Sequence, residues 1–264
     1  PINFRDVRLG VMICEDMWDE EVSECLKESG ADILVVLNGS PYSLDKWEQR
    51  LNLAVARVGE TGLPIIYVNQ VGGQDELVFD GGSFVLNSDR TLKVRCADWI
   101  SANLVCEWYR DGEVWQCAQG EANAPEESLS SIYSAMMLGL RDYVEKNHFP
   151  GVLIGPSGGI DSALTAAVAV DALGAERVVC VMMPSPYTSQ ESVEDASELA
   201  GILGITYDTI PIHEVMIAFD QLLTTVFKGK EADTTEENIQ ARARGMIVMA
   251  LSNKLCFLPL TRVY

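Results

Sequence analysis

Residues 155–162 form a glycine- and serine-rich loop whose residue types suit the binding of a phosphate group. The loop follows a short apolar run and precedes a run rich in Ala and Val, which predicts a strand, a loop and a helix. The first N–H groups of a helix have no intrahelical partner and carry partial positive charge. Gly158 and Gly159 let a phosphate approach the main chain, and Ser157 and Ser162 add hydroxyl donors.

Asp161 is the acidic residue of this loop. It can cap the predicted helix or hold a Mg²⁺ ion that bridges phosphate oxygens. No Lys follows the glycines, which excludes the loop of P-loop kinases and GTPases, and the dinucleotide pattern Gly-x-Gly-x-x-Gly is also absent. The alternative is a glycine turn that only caps an ordinary helix.

Cys14 is the second residue whose position suits chemistry. It follows the apolar run Val7–Ile13 and precedes a predicted helix, Glu20–Ser29. A thiol placed between a strand and a helix can be exposed, with a lowered pKa, and its thiolate can attack a carbonyl carbon. A small buried side chain is the commoner fate of a free cysteine, and Cys14 alone favours that interpretation.

Alternating strands and helices must position both candidates. The first half of the chain predicts a layered α/β structure, and the second half predicts a doubly wound parallel sheet with the loop at the carboxyl end of its first strand. Residues 99–119 show little periodicity. Residues 119–128 are acidic and contain a Pro, which is typical of a linker.

The composition restricts the classes of partner. A chain of 264 residues with 48% hydrophobic and 22% charged residues is typical of a globular protein with one large or two medium domains. The net charge of −20 argues against a nucleic-acid surface. No apolar run approaches the roughly 18 residues of a membrane span. Seven scattered cysteines are typical of reduced thiols. We therefore expect a cytoplasmic protein that acts on small molecules.

The loop resembles the Ser-Gly-Gly-x-Asp-Ser motif of the N-type ATP pyrophosphatases. The resemblance implies cleavage of ATP between its α and β phosphates and adenylylation of a carbonyl or carboxylate oxygen. It implies a Mg²⁺ ion at Asp161. The residues that it assigns to ATP binding are Gly155, Pro156, Ser157, Gly158, Gly159, Ile160, Asp161 and Ser162. Pro156 departs from the family, which usually has a residue with an N–H there, so one phosphate donor is missing.

Three segments of the first half, residues 10–18, 37–41 and 69–83, resemble the glutaminases of the nitrilase family. The resemblance implies that Cys14 attacks the side-chain amide of glutamine, forms a thioester and releases ammonia. It also implies that Ser40 and Lys46 contact glutamine, although a turn serine and a solvated helix lysine are the ordinary interpretations. The family's general-base Glu and second catalytic Lys lie upstream of the cysteine strand. We therefore expect that this chain alone does not hydrolyse glutamine.

The second half resembles the synthetase domain of glutamine-dependent NAD⁺ synthetases. The matching segments are residues 157–162, 182–189, 236–245 and 250–254. The resemblance implies a ligase that uses ATP and Mg²⁺ to adenylylate deamido-NAD⁺, after which ammonia displaces AMP and gives NAD⁺. It implies that Asn238 contacts deamido-NAD⁺ and that the parent protein forms homo-oligomers. For Arg242 and Arg244, phosphate contact and a solvated helix face are equally supported.

These resemblances define the expected domains. Residues 1–118 resemble the C-terminal part of a nitrilase-like α/β sandwich, residues 119–130 form a linker, and residues 131–264 resemble the N-terminal part of an adenine nucleotide alpha hydrolase-like domain. Near the end, Cys256 replaces an expected Gly, Pro259 falls inside an expected strand, and residues 262–264 replace a nucleotide-binding loop. The chain thus resembles the middle of a longer enzyme, and we expect it to be incomplete and poorly soluble by itself.

Two other functions stay open. One is another amide-forming ATP pyrophosphatase that acts on a different carboxylate. The other is a nucleotide-binding remnant without turnover, which the missing family residues favour.

Overall fold

The computed structural model describes residues 1–260. The chain divides into two compact units, Pro1–Gly139 and Leu140–Tyr264, here called unit 1 and unit 2. Each has the α/β organisation predicted from the sequence. The unusual residues 262–264 lie outside the described part of the chain. Within residues 1–260, no helix has the length and apolar character needed to cross a membrane.

Unit 1 contains ten short strands, two helices and most of a third. The strands are β1 Ile2–Phe4, β2 Val7–Ile13, β3 Ile33–Asn38, β4 Ile65–Asn69, β5 Val71–Gln74, β6 Leu77–Asp80, β7 Phe84–Leu86, β8 Leu92–Arg95, β9 Trp108–Asp111 and β10 Val114–Cys117. The helices are α1 Glu20–Glu28, α2 Lys46–Thr61 and α3 Ser128–Lys146, and a 3₁₀ helix covers Cys14–Trp18.

A six-stranded sheet in the order β1-β2-β3-β4-β7-β8 is the centre of unit 1. Strands β2, β3 and β4 are parallel, with Ile13 opposite Leu37 and Asn38 opposite Asn69. One face of the sheet packs Met12, Leu34 and Val36 into a core that also contains residues of α2. Because the three strands are parallel, their carboxyl ends meet at one edge, where the chain continues into Cys14 and into residues 39–41.

Residues 99–119, where the sequence shows little periodicity, contain a hairpin. Strands β9 and β10 pair antiparallel with Asp111 opposite Val114, and Gly112 turns the chain with a φ of +63°. A glycine in a two-residue connection is a hairpin signal that could have predicted it. The hairpin buries Cys117 beside Val85 and Val94.

The predicted linker follows β8 for several residues. The N–H of Gly120 donates to the carbonyl of Lys93 at 3.1 Å, and the N–H of Arg95 donates to the carbonyl of Glu121 at 2.9 Å. The start of the linker is therefore held against the main chain of unit 1. The domain limits 1–118, 119–130 and 131–264 stay predictions.

Unit 2 contains a parallel four-stranded sheet in the order β13-β12-β11-β14. The strands are β11 Val152–Ile154, β12 Val178–Met182, β13 Thr206–Thr209 and β14 Leu258–Leu260. The helices are α4 Ile160–Leu173, α5 Gln190–Leu203, α6 His213–Leu223 and α7 Thr234–Leu255, with a 3₁₀ turn at Ala175–Arg177. The strand–helix alternation predicted from the sequence is confirmed.

Pro259 falls inside the last strand, as the sequence predicts, and the strand forms nevertheless. Pro259 lies opposite Leu153 in β14, and the N–H of Leu258 donates to the carbonyl of Gly151 at 3.0 Å. In a parallel pair, only alternate residues of a strand form hydrogen bonds with a given neighbouring strand. Leu258 bonds to the β11 side, so the missing N–H of Pro259 removes no hydrogen bond to β11. Within the described residues β14 is an edge strand, where proline is tolerated.

Cys256, which replaces an expected glycine, keeps a glycine-like conformation. Its φ is +59° and it ends α7 in the left-handed region. This is the cap that glycine forms most easily, and a side chain there costs roughly 1–2 kcal/mol. Cys256 therefore carries conformational strain that a glycine at this position would not have.

Candidate functional site

Cys14 lies at the carboxyl end of β2, as the first residue of the 3₁₀ helix. Its φ of +51° is in the left-handed region, which is rare for a residue with a side chain. The tight turn is closed by the N–H of Ile13, which donates to Asp16 Oδ2 at 2.8 Å. Strain of this kind, roughly 1–3 kcal/mol, is concentrated at functional sites. The observation favours a functional Cys14 over a merely buried one, and the sequence does not reveal it.

A cleft of about 150 Å³ opens beside Cys14. The 3₁₀ helix, strands β3 and β4 and helix α2 all contribute to its walls. The structure brings together the three residues predicted for glutamine chemistry, and it adds others that the sequence did not nominate. The principal side chains that line the cleft are those of Cys14, Asn38, Ser40, Lys46, Arg50 and Tyr67.

Lys46 is the first residue of α2 and is only partly exposed. Its Nζ lies 5.4 Å from the centroid of the Trp18 ring. This is within the range of a cation–π interaction, which orients the ammonium group at the mouth of the cleft. Lys46 is therefore not a freely solvated helix lysine.

Ser40 is held by a buried ion pair beneath the cleft. Arg50 Nη1 lies 2.8 Å from each carboxylate oxygen of Asp80, and the two side chains are 5% and 10% exposed. Arg50 Nε donates to Ser40 Oγ at 3.1 Å, and Nη2 donates to the carbonyl of Ser40 at 2.8 Å. Two donors of one guanidinium thus hold both the side chain and the main chain of Ser40.

Asn69 holds Ser40 from the adjacent strand. Its Oδ1 accepts from the N–H of Ser40 at 2.9 Å, and its Nδ2 donates to the carbonyl of Ser40 at 3.2 Å. Tyr67 forms a side-chain hydrogen bond with Ser40. Burial raises the pKa of Tyr67 above its ordinary value of 10.0, although the positive charge of Arg50 and the Ser40 bond oppose the rise. The phenol is therefore neutral at physiological pH.

Sequence reasoning missed Arg50, Asp80, Asn69 and Tyr67. One signal was present for Arg50, because it precedes Ala54 and Val58 by four and eight residues. This spacing places the charge on the buried face of α2. A charge on a buried face needs a partner, but nothing in the sequence indicates that the partner is Asp80.

Residues 155–162, here called the phosphate loop, follow β11 as the sequence predicts and include the first three residues of α4. Gly158 has a φ of +77°, and a Cβ added there would lie 2.6 Å from the Cα of Ser192 near the start of α5. Glycine is thus required at this position both by conformation and by close packing. Gly159 precedes α4 with an extended φ of −95° and has no such conformational requirement.

The two loop serines bond to the loop itself. Ser162 Oγ accepts from the N–H of Ser157 at 3.2 Å and donates to the carbonyl of Gly159 at 2.9 Å. Ser157 Oγ in turn accepts from the N–H of Gly159 at 3.3 Å. The serines fix the shape of the loop, a role that sequence reasoning did not assign. The N–H groups of the first turn of α4 are left without intrahelical partners by helix geometry.

Asp161 is exposed in the first turn of α4. Within residues 1–260, no three or more His, Cys, Asp or Glu residues are grouped so that they could hold a metal ion. Protein Mg²⁺ sites often use one or two carboxylates together with substrate phosphates and waters. Asp161 fits such a site only when phosphate oxygens complete the coordination.

The three residues of α7 singled out from the sequence have different surroundings. Asn238 and Arg242 are exposed. Arg244 is partly buried, its Nε donates to the carbonyl of Met183 at 3.1 Å, and burial lowers its pKa. A Cβ on Gly155 would lie 3.1 Å from Met183 Cε, so Arg244 and the phosphate loop share a neighbour. A solvated helix face is therefore wrong for Arg244, whereas the role of Asn238 stays a prediction.

Fold and site together define a protein that combines a thiol-containing α/β unit with a parallel sheet whose first strand leads into a glycine- and serine-rich loop and a helix. Models of two families match the chain in this order: carbon-nitrogen hydrolase over residues 1–106 and NAD synthase over residues 132–261. A glutamine-dependent NAD(+) synthetase from Rhodobacter capsulatus is 46% identical over 261 residues, which are 99% of this chain and 47% of that protein. The corresponding protein of Acinetobacter baylyi is 41% identical over 94% of this chain and 45% of its own length.

A solved structure has the same arrangement of elements. The glutamine-dependent NAD⁺ synthetase of Acinetobacter baumannii, in complex with ADP, matches 98% of this chain and 49% of its own with a TM-score of 0.91 and 44% identity. The chain belongs to the family of glutamine-dependent NAD⁺ synthetases. It spans about half the length of the curated relatives it matches.

Proposed function

We propose that the chain contributes to the ATP-dependent amidation of deamido-NAD⁺ to NAD⁺, with ammonia taken from glutamine. The observation that carries the proposal is the presence of two different sites in one chain. A strained cysteine shares a cleft with Ser40 and Lys46 in unit 1, and a phosphate loop precedes a helix in unit 2. The family supports the pairing of these two chemistries.

The thiol reaction is assigned to the cleft of unit 1. The sulfur of Cys14 attacks the side-chain amide carbon of glutamine, the C–N bond breaks, and ammonia leaves with a transferred proton. Water then cleaves the thioester to give glutamate and the free thiol. Ser40 and Lys46 hold glutamine through their hydrogen-bond donors, and the resemblance assigns proton transfer to a Glu and a second Lys upstream of the cysteine strand.

The ATP reaction is assigned to residues 155–162. A carboxylate oxygen of deamido-NAD⁺ attacks the α-phosphorus of ATP, and pyrophosphate leaves against the N–H groups of the first turn of α4. Ammonia then attacks the acyl adenylate, and AMP leaves. A Mg²⁺ ion would neutralise charge on the phosphate oxygens, and Asp161 would be its protein ligand. The structure of the Acinetobacter baumannii relative is a complex with ADP, which supports the binding of an adenine nucleotide by this chain.

Formation of AMP from ATP and deamido-NAD⁺ tests the proposal. With Mg²⁺ and ammonia we expect AMP and NAD⁺ as products. A matched Asp161→Asn variant should lose AMP formation. Binding of ATP without AMP formation from any carboxylate would replace the proposal with nucleotide binding without turnover. Amidation of another carboxylate but not of deamido-NAD⁺ would indicate a different synthetase.

We also propose a cytoplasmic location and a homo-oligomeric state for the parent protein. All seven cysteines are free thiols, which is expected in a reducing compartment. Sedimentation analysis tests the oligomer, and a monomer across micromolar concentrations would contradict it.

A further inference from the structure

The contacts of Ser40 determine the direction of its hydrogen bonds. Arg50 Nε lies 3.1 Å from Ser40 Oγ. A guanidinium has donors and no acceptor, so the serine oxygen must accept this bond. The single hydroxyl proton of Ser40 then remains for an acceptor, either the oxygen of Tyr67 or a ligand in the cleft.

The carbonyl of Ser40 is occupied in a similar way. It accepts from Arg50 Nη2 at 2.8 Å and from Asn69 Nδ2 at 3.2 Å. Two donors use the two lone pairs of this oxygen. A substrate ammonium group therefore has no favourable partner in the carbonyl of Ser40.

We propose that Arg50 and its ion-pair partner Asp80 position Ser40 as a hydrogen-bond donor that selects a carboxylate oxygen of the amide substrate of Cys14. This inference rests on the proposed binding of glutamine in the cleft. Arg50 acts through Ser40 and is a positioning residue. The ammonium group of Lys46 is a second donor in the same cleft, so Ser40 and Lys46 together suit the α-carboxylate of an amino acid.

The planar geometry of arginine is essential to this arrangement. Arg50 binds both Asp80 oxygens, Ser40 Oγ and two main-chain carbonyls, those of Ser40 and Pro41. A lysine has a single ammonium group, which cannot reach these acceptors in the same fixed geometry. Arg50→Lys therefore keeps the charge but releases Ser40.

The test uses the chain with Cys14→Ala, which prevents turnover, and measures L-glutamine binding by calorimetry. Arg50→Lys should weaken binding about tenfold, as should Ser40→Ala. The double variant should bind no more weakly than either single variant, because Arg50 acts only through Ser40. A merely structural role of Arg50 would instead give additive losses.

The control is Arg95→Lys. Arg95 forms an ion pair with Asp98 whose side chains are 2% and 9% exposed, and its other hydrogen bonds go to Cys96 and Asn123. Glutamine affinity should be unchanged in this variant. If Arg50→Lys does not fold, as judged by circular dichroism, the isosteric Asp80→Asn replaces it and should weaken binding in the same direction.

A second ligand tests the direction of the Ser40 bond. Glutamine α-amide replaces the carboxylate with a carboxamide and should bind at least about tenfold more weakly than glutamine. This preference should shrink in Ser40→Ala and in Arg50→Lys. An unchanged preference in both variants would overturn the assignment of Ser40 to the carboxylate.

The outcomes separate the positioning role of Arg50 from the proposed glutamine site. Full glutamine affinity in Arg50→Lys, or additive losses in the double variant, would overturn the positioning role alone. No glutamine binding by the Cys14→Ala chain itself would overturn the proposed glutamine site. ATP-dependent AMP formation is measured separately and does not depend on either result.

Discussion

The Cys14 cleft and the phosphate loop are built in opposite ways. The cleft is assembled by side chains from four separate stretches, since Ser40, Arg50, Asn69 and Asp80 lie up to 40 residues apart and are joined by buried and partly buried hydrogen bonds. The phosphate loop is made by eight consecutive residues, whose serines bond to the loop's own main chain. The cleft should therefore be sensitive to changes far from Cys14 in sequence, and the loop mainly to changes within itself.

Removing the carboxylate of Asp80 should have the largest effect. Asp80→Ala leaves the guanidinium of Arg50 buried without its ion-pair partner, which typically costs roughly 3–5 kcal/mol. Urea unfolding of the chain should show this loss. The control Lys146→Ala breaks an ion pair whose lysine side chain is 52% exposed and should cost less than about 1 kcal/mol. Equal losses in the two variants would contradict a cleft that depends on buried contacts.

Gly158→Ala should be the most damaging change in the loop. The new Cβ would lie 2.6 Å from the Cα of Ser192 at a φ of +77°. Strain and overpacking should cost roughly 3 kcal/mol and abolish AMP formation. The control is Gly201→Ala in α5, where a Cβ meets nothing within 4 Å and alanine favours the helix. An active Gly158→Ala chain would show that the loop tolerates a different path.

Ser162→Ala tests whether the internal bonds shape the loop. The variant removes the acceptor of the Ser157 N–H and the donor to the Gly159 carbonyl, which should cost about 1 kcal/mol and raise the KM for ATP. Ser252→Ala is a matched control, because its hydroxyl donates to the Phe257 carbonyl at 2.8 Å outside the loop. We expect a similar stability loss there with an unchanged KM. A KM change in both variants would argue against a local role for Ser162.

The smallest effect should be the alkaline sensitivity of unit 2. Burial raises the pKa of Cys180 from 9.0 to about 11. The folded state holds the thiol proton more tightly than the unfolded state does. The contribution of Cys180 to the free energy of unfolding is therefore fully present below about pH 9 and is lost as the pH rises towards 11. In Cys180→Val, the free energy of unfolding measured by chemical denaturation should fall less steeply with rising pH. In Cys25→Ser, where the thiol is exposed, the pH dependence should stay unchanged. An unaltered decline in Cys180→Val would contradict this assignment.

Part of the fold followed from local patterns. The parallel sheet of unit 2 was predicted because apolar runs alternate with helical periods, and its two central strands, β11 and β12, bury nearly all their side chains. The hairpin β9–β10 was missed because residues 99–119 show little periodicity, which agrees with the incomplete burial of its two strands. The sequence placed Pro259 inside a strand, but whether that strand is central or at an edge is decided by its neighbours in the sheet and not by its own residues.

By itself, the sequence determined the family, and it predicted two types of chemistry and the candidate residues for them in consecutive motifs. These features are local, since a strand, a turn and a helix N-terminus within one short segment are sufficient for a phosphate loop. The tertiary structure alone decided the left-handed conformation of Cys14, the buried Arg50–Asp80 pair and the hydrogen-bond direction of Ser40. These depend on which distant side chains meet when parallel strands align their carboxyl ends, and no single segment contains that information.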